Sequence, residues 1–166
     1  MQDKNYAELF IFELYNKSKN KNLPVKIYII NVGSPEYQQV LDLRNEVLRK
    51  PLGLVLSERD IENDKNEWIV IAKHKGRVVA CVQLRPLSEK EIKLRQMAVF
   101  PEYQSRAWGR RLLEYAEQLA RNESYHVISL HARATATGFY RKAAYQIVSD
   151  EFIEVGIPHY KMQKQF

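Results

Sequence analysis

The chain has a single cysteine, Cys81, in 166 residues. That excludes an intrachain disulfide and any zinc site built on several thiolates. Cys81 lies in the apolar run Val78-Val79-Ala80-Cys81-Val82 and reads as a buried structural thiol rather than a nucleophile. No apolar stretch approaches the ~20 residues of a membrane span. The opening Met1-Gln2-Asp3-Lys4-Asn5-Tyr6 has no basic-then-apolar leader pattern. The expectation is a soluble, cytoplasmic protein with no membrane partner. The four histidines, His74, His126, His131 and His159, have no i, i+4 spacing, so no metal centre is expected. No G-x-S-x-G elbow is present, which argues against a serine hydrolase. There is no internal repeat, and the Asn16–Asn22 stretch of lysine, serine and asparagine reads as a solvated linker.

What is present is globular. Hydrophobic residues make up 45% and charged residues 28% of a chain of one-domain length, which excludes global disorder. The formal net charge is +6, compatible with nucleic acid, an anionic surface or a small anionic ligand. Its distribution discriminates: residues 104–142 alone carry seven basic and three acidic residues. An excess concentrated in one stretch points to a local anion site and against nucleic acid as the partner.

Patterning predicts a helix over residues 3–16 and a strand over Val25–Val32. A helix then follows with Ser34 as N-cap and Pro35 at its first position, bearing Val40, Leu43 and Val47. A short helix capped by Ser57 comes next. Trp68–Ala72 and Val78–Leu84 read as a hairpin, and Glu91–Phe100 as a strand in which Ile92, Leu94, Gln96 and Ala98 share one face. Arg111–Arg121 and Ala134–Ala143 read as helices, and Tyr125–Leu130, Ile147–Val148 and Tyr160–Met162 as strands. The order is a mixed α/β fold, an antiparallel meander followed by a parallel crossover, with a mainly antiparallel central sheet and flanking helices.

The most informative stretch runs Met97-Ala98-Val99-Phe100-Pro101-Glu102-Tyr103-Gln104-Ser105-Arg106-Ala107-Trp108-Gly109-Arg110-Arg111. A strand ends, a loop of small residues follows and a helix begins. Unpaired N–H groups and the positive end of the helix dipole make such a junction a phosphate site. It carries neither G-x-x-x-x-G-K-[ST] nor G-x-G-x-x-G, so it is neither a Walker loop nor a dinucleotide fingerprint.

Gln104-Ser105-Arg106-Ala107-Trp108-Gly109 resembles the Arg/Gln-x-x-Gly-x-Gly/Ala pyrophosphate loop of the GNAT N-acetyltransferases. Gly138-Phe139-Tyr140-Arg141-Lys142-Ala143-Ala144-Tyr145 resembles that family's Phe-Tyr-x-Lys-x-Gly segment. Phe152–His159 further resembles the tail of the ElaA-type branch. The resemblance covers residues 25–165, so 25–166 is expected to be the acyltransferase domain, with 1–24 a helical extension and linker. Two departures stand out: Ala107 occupies a usual glycine position, tolerable for alanine where φ is negative, and Ala143-Ala144 replaces Lys-x-Gly.

The resemblance implies the acyl-CoA N-acyltransferase fold and acetyl-CoA as cosubstrate. Met97, Ala98 and Val99 would pair with the pantetheine arm, and Gln104, Ser105, Arg106, Ala107, Trp108, Gly109 and Arg110 would hold the pyrophosphate. Tyr140 would be the general acid toward the departing thiolate. The acceptor would be a small-molecule or peptide amine attacking directly in a ternary complex. The general base is left open: Glu154 and His159 are the first acceptor-site candidates. Glu102, Glu58, Asp60 and His131 each have a structural reading as well. Acceptor specificity is assigned to residues 44–66 and 150–159. Two alternatives stay open, a non-catalytic acyl-CoA-binding module on the same fold and a homodimeric state.

Overall fold

The computed structural model describes residues 26–166; the helix expected over 3–16, the linker and the start of the first strand lie outside the described residues. Eight strands form one sheet: β1 (Lys26–Ile30), β2 (Trp68–His74), β3 (Arg77–Pro86), β4 (Glu91–Val99), β5 (Val127–Arg133), β6 (Gln146–Ile147), β7 (Phe152–Glu154) and β8 (Ile157–Gln165). The spatial order is β1-β2-β3-β4-β5-β8-β6, with β7 also on β8. Every pairing is antiparallel except β4 with β5. That parallel pair needs a crossover, which helix α3 (Trp108–Asn122) supplies.

The sheet is covered differently on its two faces. On one, Val70, Val82, Leu84, Ile92, Leu94, Ile128 and Leu130 pack under Leu112, Leu113, Ala116 and Ala120 of α3. Those α3 residues make a helical apolar stripe, as their spacing predicts. On the other face, Ile69, Ile71, Cys81 and Ala98 pack under Val40 and Leu43 of α1 (Tyr37–Arg44). Strand β2 is buried on both faces by this arrangement, which explains its unbroken apolar run. On that second face helix α1 reaches β3 and the Ala98 end of β4, and a cleft opens beyond it, over Lys93–Gln96 of β4 and His131–Arg133 of β5.

The chain after α1 tightens into a π-helical turn at Asn45–Arg49 and a 3₁₀ turn at Lys50–Leu52, then reaches α2 (Glu58–Ile61). A buried polar cluster holds this segment against the sheet. Arg44 is fully buried and ion-paired to Asp64. The Asp64 carboxylate also accepts from Tyr37 Oη at 2.8 Å and Gln83 Nε2 at 2.8 Å. Burial, then the hydrogen bond to Asp64, pushes the Tyr37 phenol up to about 12. A buried ion that keeps all its partners is tolerable; removing one partner strands the other.

Several expectations need correction. Ser34 does not cap α1: the cap is Glu36, and Ser34 instead closes a turn with its N–H on Asn31 C=O at 3.1 Å. Ser57 does cap α2, through a reciprocal capping box with Asp60. Helix α3 starts at Trp108, three residues earlier than expected. The segment read as one helix over Ala134–Ala143 is a 3₁₀ turn, Ala134–Ala136, followed by α4 (Thr137–Lys142). Strand β7 was not anticipated, because three residues carry too little periodicity to be read. Gln96 and Ala98 do not share a face with Ile92 and Leu94, for a reason given below.

Alanine also occupies two left-handed backbone positions, Ala107 at φ 62° and Ala144 at φ 69°. A negative φ at Ala107 is thus not what the loop adopts. A Cβ in this region costs roughly 1–2 kcal/mol, partly offset by the greater unfolded-state entropy of glycine. Ala144→Gly is therefore expected to raise Tm by about 2 °C in a thermal melt, and Ala107→Gly by a similar amount.

Burial by itself pushes the Asp60 carboxyl up, but the Arg49 guanidinium and the Ser57 N–H and hydroxyl outweigh it and hold it at about 2. The folded pKa lies below the unfolded one, so this stabilisation is complete above about pH 4 and lost as pH falls toward 2. Asp60→Asn should cost about 1 kcal/mol at pH 7 in denaturant titrations, solvent screening reducing the value of this partly exposed pair, and the gap to wild type should close between pH 4 and pH 2.

Candidate active site

The site begins where β4 and β5 part. Their parallel pairing covers Glu91–Leu94 against Val127–Leu130 and stops there, although β4 continues to Val99 and β5 to Arg133. The cause sits on the other edge of β4. Its register with β3 steps from Gln83↔Arg95 to Cys81↔Ala98, so Gln96 and Met97 together oppose Val82. Gln96 takes φ 53° to make this bulge, and its carbonyl accepts from Cys81 Sγ at 3.6 Å. A bulge bends the strand and re-aims the side chains beyond it. Met97 and Val99 consequently pack on the α3 side, while Ala98 joins the α1-side cluster.

The same bulge leaves backbone groups facing the gap. Phe100 N–H donates to Val79 C=O at 3.1 Å. Hydrogen bonding alternates along an antiparallel strand, so the Val99 N–H points away from β3, toward the gap that β5 has vacated. The Val99 carbonyl accepts from Gln104 Nε2 at 3.0 Å, which ties the following loop to the strand end.

That loop folds as a 3₁₀ turn, Pro101–Tyr103, and then takes positive φ at Ser105 (60°) and Ala107 (62°) before α3 begins. The alternation turns successive N–H groups inward as a concave anion nest. The first helical bond is Arg111 N–H to Ala107 C=O, so the N–H groups of Trp108, Gly109 and Arg110 have no partner within the helix. A Cβ at Gly109 would stand 3.5 Å from Met97 Cε and 3.7 Å from Val99 Cγ2. These are ordinary contact distances, so the first turn of α3 packs closely beside β4 without requiring glycine there. The Trp108 ring is buried edge-on against His74, centroids 5.3 Å apart, so what Trp108 offers the loop is its backbone. Arg106 and Arg110 are exposed beside the nest; Arg110 is bonded to Glu114 at 2.9 Å. Glu102 points elsewhere, to Arg77 at 3.1 Å on the surface.

A cleft of 450 Å³ opens from the gap toward the face that α1 leaves uncovered. At its inner end, Tyr140 Oη donates to Met97 Sδ at 3.4 Å. Burial alone raises the Tyr140 phenol well above its ordinary value, so it holds its proton at neutral pH. On the tail-side wall, His131 Nδ1 lies 3.1 Å from Glu154 Oε1 and its Nε2 lies 3.1 Å from Lys93 Nζ. A consistent proton arrangement has Nδ1–H donating to Glu154 and Nε2 accepting from Lys93. His159 Nε2 lies 3.9 Å from the other Glu154 oxygen, and its Nδ1 is held by Ile157 C=O at 2.9 Å.

Four of the residues singled out by sequence, Met97, Tyr140, Glu154 and His159, thus share one cleft, with the Gln104–Arg110 loop at the end of β4 beside it. His131, for which the sequence left a structural and a catalytic reading open, sits between Lys93 and Glu154. Sequence reasoning did not single out Arg49, Arg85, Lys93, Arg95 or Arg133, which also line the cleft. The available signal was the strict alternation of Lys93 and Arg95 with Ile92 and Leu94, and of His131 and Arg133 with Leu130 and Ala132. A polar face on central strands must line something other than core. Among the described residues, no group of three or more His, Cys, Asp or Glu side chains is arranged to hold a metal ion, and no helix is long and apolar enough to cross a membrane.

Comparison with known proteins agrees with this geometry. Residues 36–166 match the model of the acetyltransferase (GNAT) domain family. The chain is 28% identical over 96 residues to a Bacillus subtilis protein named as an acetyltransferase and 34% identical over 73 residues to Bacillus subtilis YyaT. Those matches cover 58% and 44% of this chain, and span 65% and 49% of the relatives' lengths. Among solved structures, an acyl-CoA N-acyltransferase from Pseudomonas aeruginosa superposes with TM-score 0.74 at 21% identity, covering 84% of this chain and 99% of that one. Escherichia coli ElaA gives TM-score 0.72 at 16% identity, covering 84% and 99%. A GNAT acetyltransferase from Elizabethkingia anophelis with acetyl-CoA bound gives 0.69 at 18% identity, covering 89% and 100%. The bulged and parted β4, the nest at the start of α3 and the matched domain model lead to one conclusion: this chain belongs to the GNAT acetyltransferase family.

Proposed function

We propose that the protein transfers an acetyl group from acetyl-CoA to an amine by direct attack within a ternary complex. The observation that carries this reading is the convergence at one gap of three features: a gap-facing Val99 N–H, an anion nest at Ser105–Arg110, and a protonated Tyr140 hydroxyl 3.4 Å from Met97 Sδ. The bound-ligand relative supports acetyl-CoA as donor. Its thioester supplies the acyl group in a form activated toward amines; the rest is done by this chain.

The nest and the N–H groups of Trp108, Gly109 and Arg110 would hold the pyrophosphate, helped by the helix dipole. The β4 edge from Met97 to Val99 would take the pantetheine arm as an added strand. The Val99 N–H would polarise the thioester carbonyl, a contribution of roughly 2.7–4 kcal/mol where one such donor has been removed elsewhere. Tyr140 Oη would donate its proton to the departing thiolate. Its buried setting suits an acid that must stay protonated until charge develops.

Glu154 is the best-placed proton acceptor for the attacking amine. It is half-exposed in the cleft, with His131 3.1 Å from one of its oxygens and His159 3.9 Å from the other. The cysteine takes no part: burial pushes the Cys81 thiol up to about 12, which removes it as a nucleophile. Ala107 motivates a second reading, a non-catalytic acyl-CoA-binding module, since its Cβ narrows a nest usually built on glycine. Thiol release with a panel of amines separates the two.

Tyr140→Phe is expected to lower kcat by roughly 100-fold or more, leaving the KM for acetyl-CoA within about twofold; unchanged kcat rules Tyr140 out as the acid. Glu154→Gln should lower kcat/KM at neutral pH by a similar factor, with much of the loss recovered as pH rises and the free amine forms unaided. A loss of equal size at every pH would mean that Glu154 only holds the tail in place.

A further inference from the structure

The cleft outside the acyl-transfer end is unusually cationic for a site that must accept an amine. Arg49, Arg85, Lys93, Arg95 and Arg133 all face it. The carboxylates around them do not balance this charge. Asp60 is committed to Arg49 at 2.7 Å. Glu67 is almost completely buried, and a single oxygen of it, Oε1, serves both Arg85 and Arg95. Two guanidiniums therefore share one negative charge.

Arg133 has no carboxylate at all among the described residues; its guanidinium donates only to Leu48 C=O at 3.2 Å. It is half-buried, and desolvation followed by repulsion from Arg49 makes its charge costly. Lys93 is also partly buried, destabilised first by desolvation and then by Arg95, Arg85 and Lys161, with only Glu154 opposing. Partly buried cations without counter-ions are expensive unless a ligand compensates them.

These cations are not explained by the phosphates of the donor. Lys93 and Arg95 alternate with Ile92 and Leu94, whose side chains pack under α3. The cations consequently stand on the opposite sheet face from the α3 nest, on the side that α1 leaves open. Arg133 is two residues beyond His131 on β5, on the same face, and its bond to Leu48 links β5 to the π-helical turn after α1. The arrangement places a fixed cationic grip on the acceptor side of the gap, next to the proton acceptor.

Resting on the acyltransferase reading, we propose that the acceptor is an amine bearing an anionic group, a carboxylate or a phosphate, gripped by Arg133 with Arg95 and Lys93 while its nitrogen points toward Glu154 and the Met97–Tyr140 end. Arginine forks suit both groups, since either offers two oxygens in the right spacing. The same charge disfavours polycationic acceptors.

The test measures ligand binding by calorimetry to the full chain saturated with CoA, using matched pairs: phenylalanine against phenylalaninamide, and phosphoethanolamine against ethanolamine. Thiol release with acetyl-CoA is followed for each compound in parallel. The anionic member of at least one pair should bind roughly 10- to 100-fold more tightly, and that preference should fall with added salt. The pair with the larger preference assigns carboxylate or phosphate. Arg133→Gln should abolish the preference, Arg133→Lys should restore part of it, and CoA affinity should not change in either. Equal binding within both pairs, or a preference that survives Arg133→Gln, overturns the proposal. Thiol release without a charge preference keeps the transferase reading and removes the anion grip. A charge preference without thiol release from any amine keeps the grip and removes the transferase reading.

Discussion

Everything functional in this molecule depends on β4 and β5 being unable to stay paired. They hold together for four residue pairs, then the bulge at Gln96–Met97 turns β4 away and leaves its backbone without a neighbour. In an ordinary sheet such unpaired N–H and C=O groups would be a cost. Here they face a gap that a substrate's own amide groups can fill. The gap also joins the two sheet faces; on the proposed reading, a donor on the α3 side and an acceptor on the α1 side would meet at Met97 and Tyr140. The parallel crossover through α3 puts the helix N-terminus beside the same opening, since the helix must start where β4 ends.

The walls of the cleft are held by means other than sheet pairing. Arg44, Asp64, Tyr37 and Gln83 form a polar cluster under the segment that carries Leu48 and Arg49. Its geometry fixes that segment over the sheet more specifically than apolar packing alone would, because any displacement unpairs a buried charge. The opposite wall, β7 and its turn into β8, carries Glu154 and His159. It is tied to β5 through the register Arg133↔His159 and the contact between His131 and Glu154. Positive φ at non-glycine residues occurs at Gln96 in the bulge and at Ser105 and Ala107 before α3, as well as at turn positions such as Lys75, Ser124 and Ala144. Strain of this kind persists where the surrounding structure over-determines it.

Much of this was legible in the sequence, and the failures have identifiable causes. The strand–loop–helix junction was readable because Gln104–Arg110 is contiguous, but the positive φ values at Ser105 and Ala107 that shape the loop were not. Ser57 was readable as a cap because its partner Asp60 is three residues away. The two faces of β4 were misread past Arg95, because a bulge is one extra residue that shifts the period and leaves no signature in composition. The cationic grip was missed since Arg85, Lys93, Arg95 and Arg133 come from three strands whose adjacency is a property of the topology. The surroundings of His131 were not legible for the same reason: Lys93 and Glu154 are far away in sequence. Ala107 and Ala144 occupy left-handed positions that alanine seldom takes, and nothing local in the sequence announces that the fold imposes them there.

On the proposed reading the parted strand and the nest together form one acyl-CoA site, and amide hydrogen exchange with and without acetyl-CoA shows whether they do. Exchange should slow at Met97–Val99 and at Gln104–Arg110, with β1 and the α1 helix unchanged. Protection spread over the surface, or absent from both segments at saturating ligand, would contradict that reading.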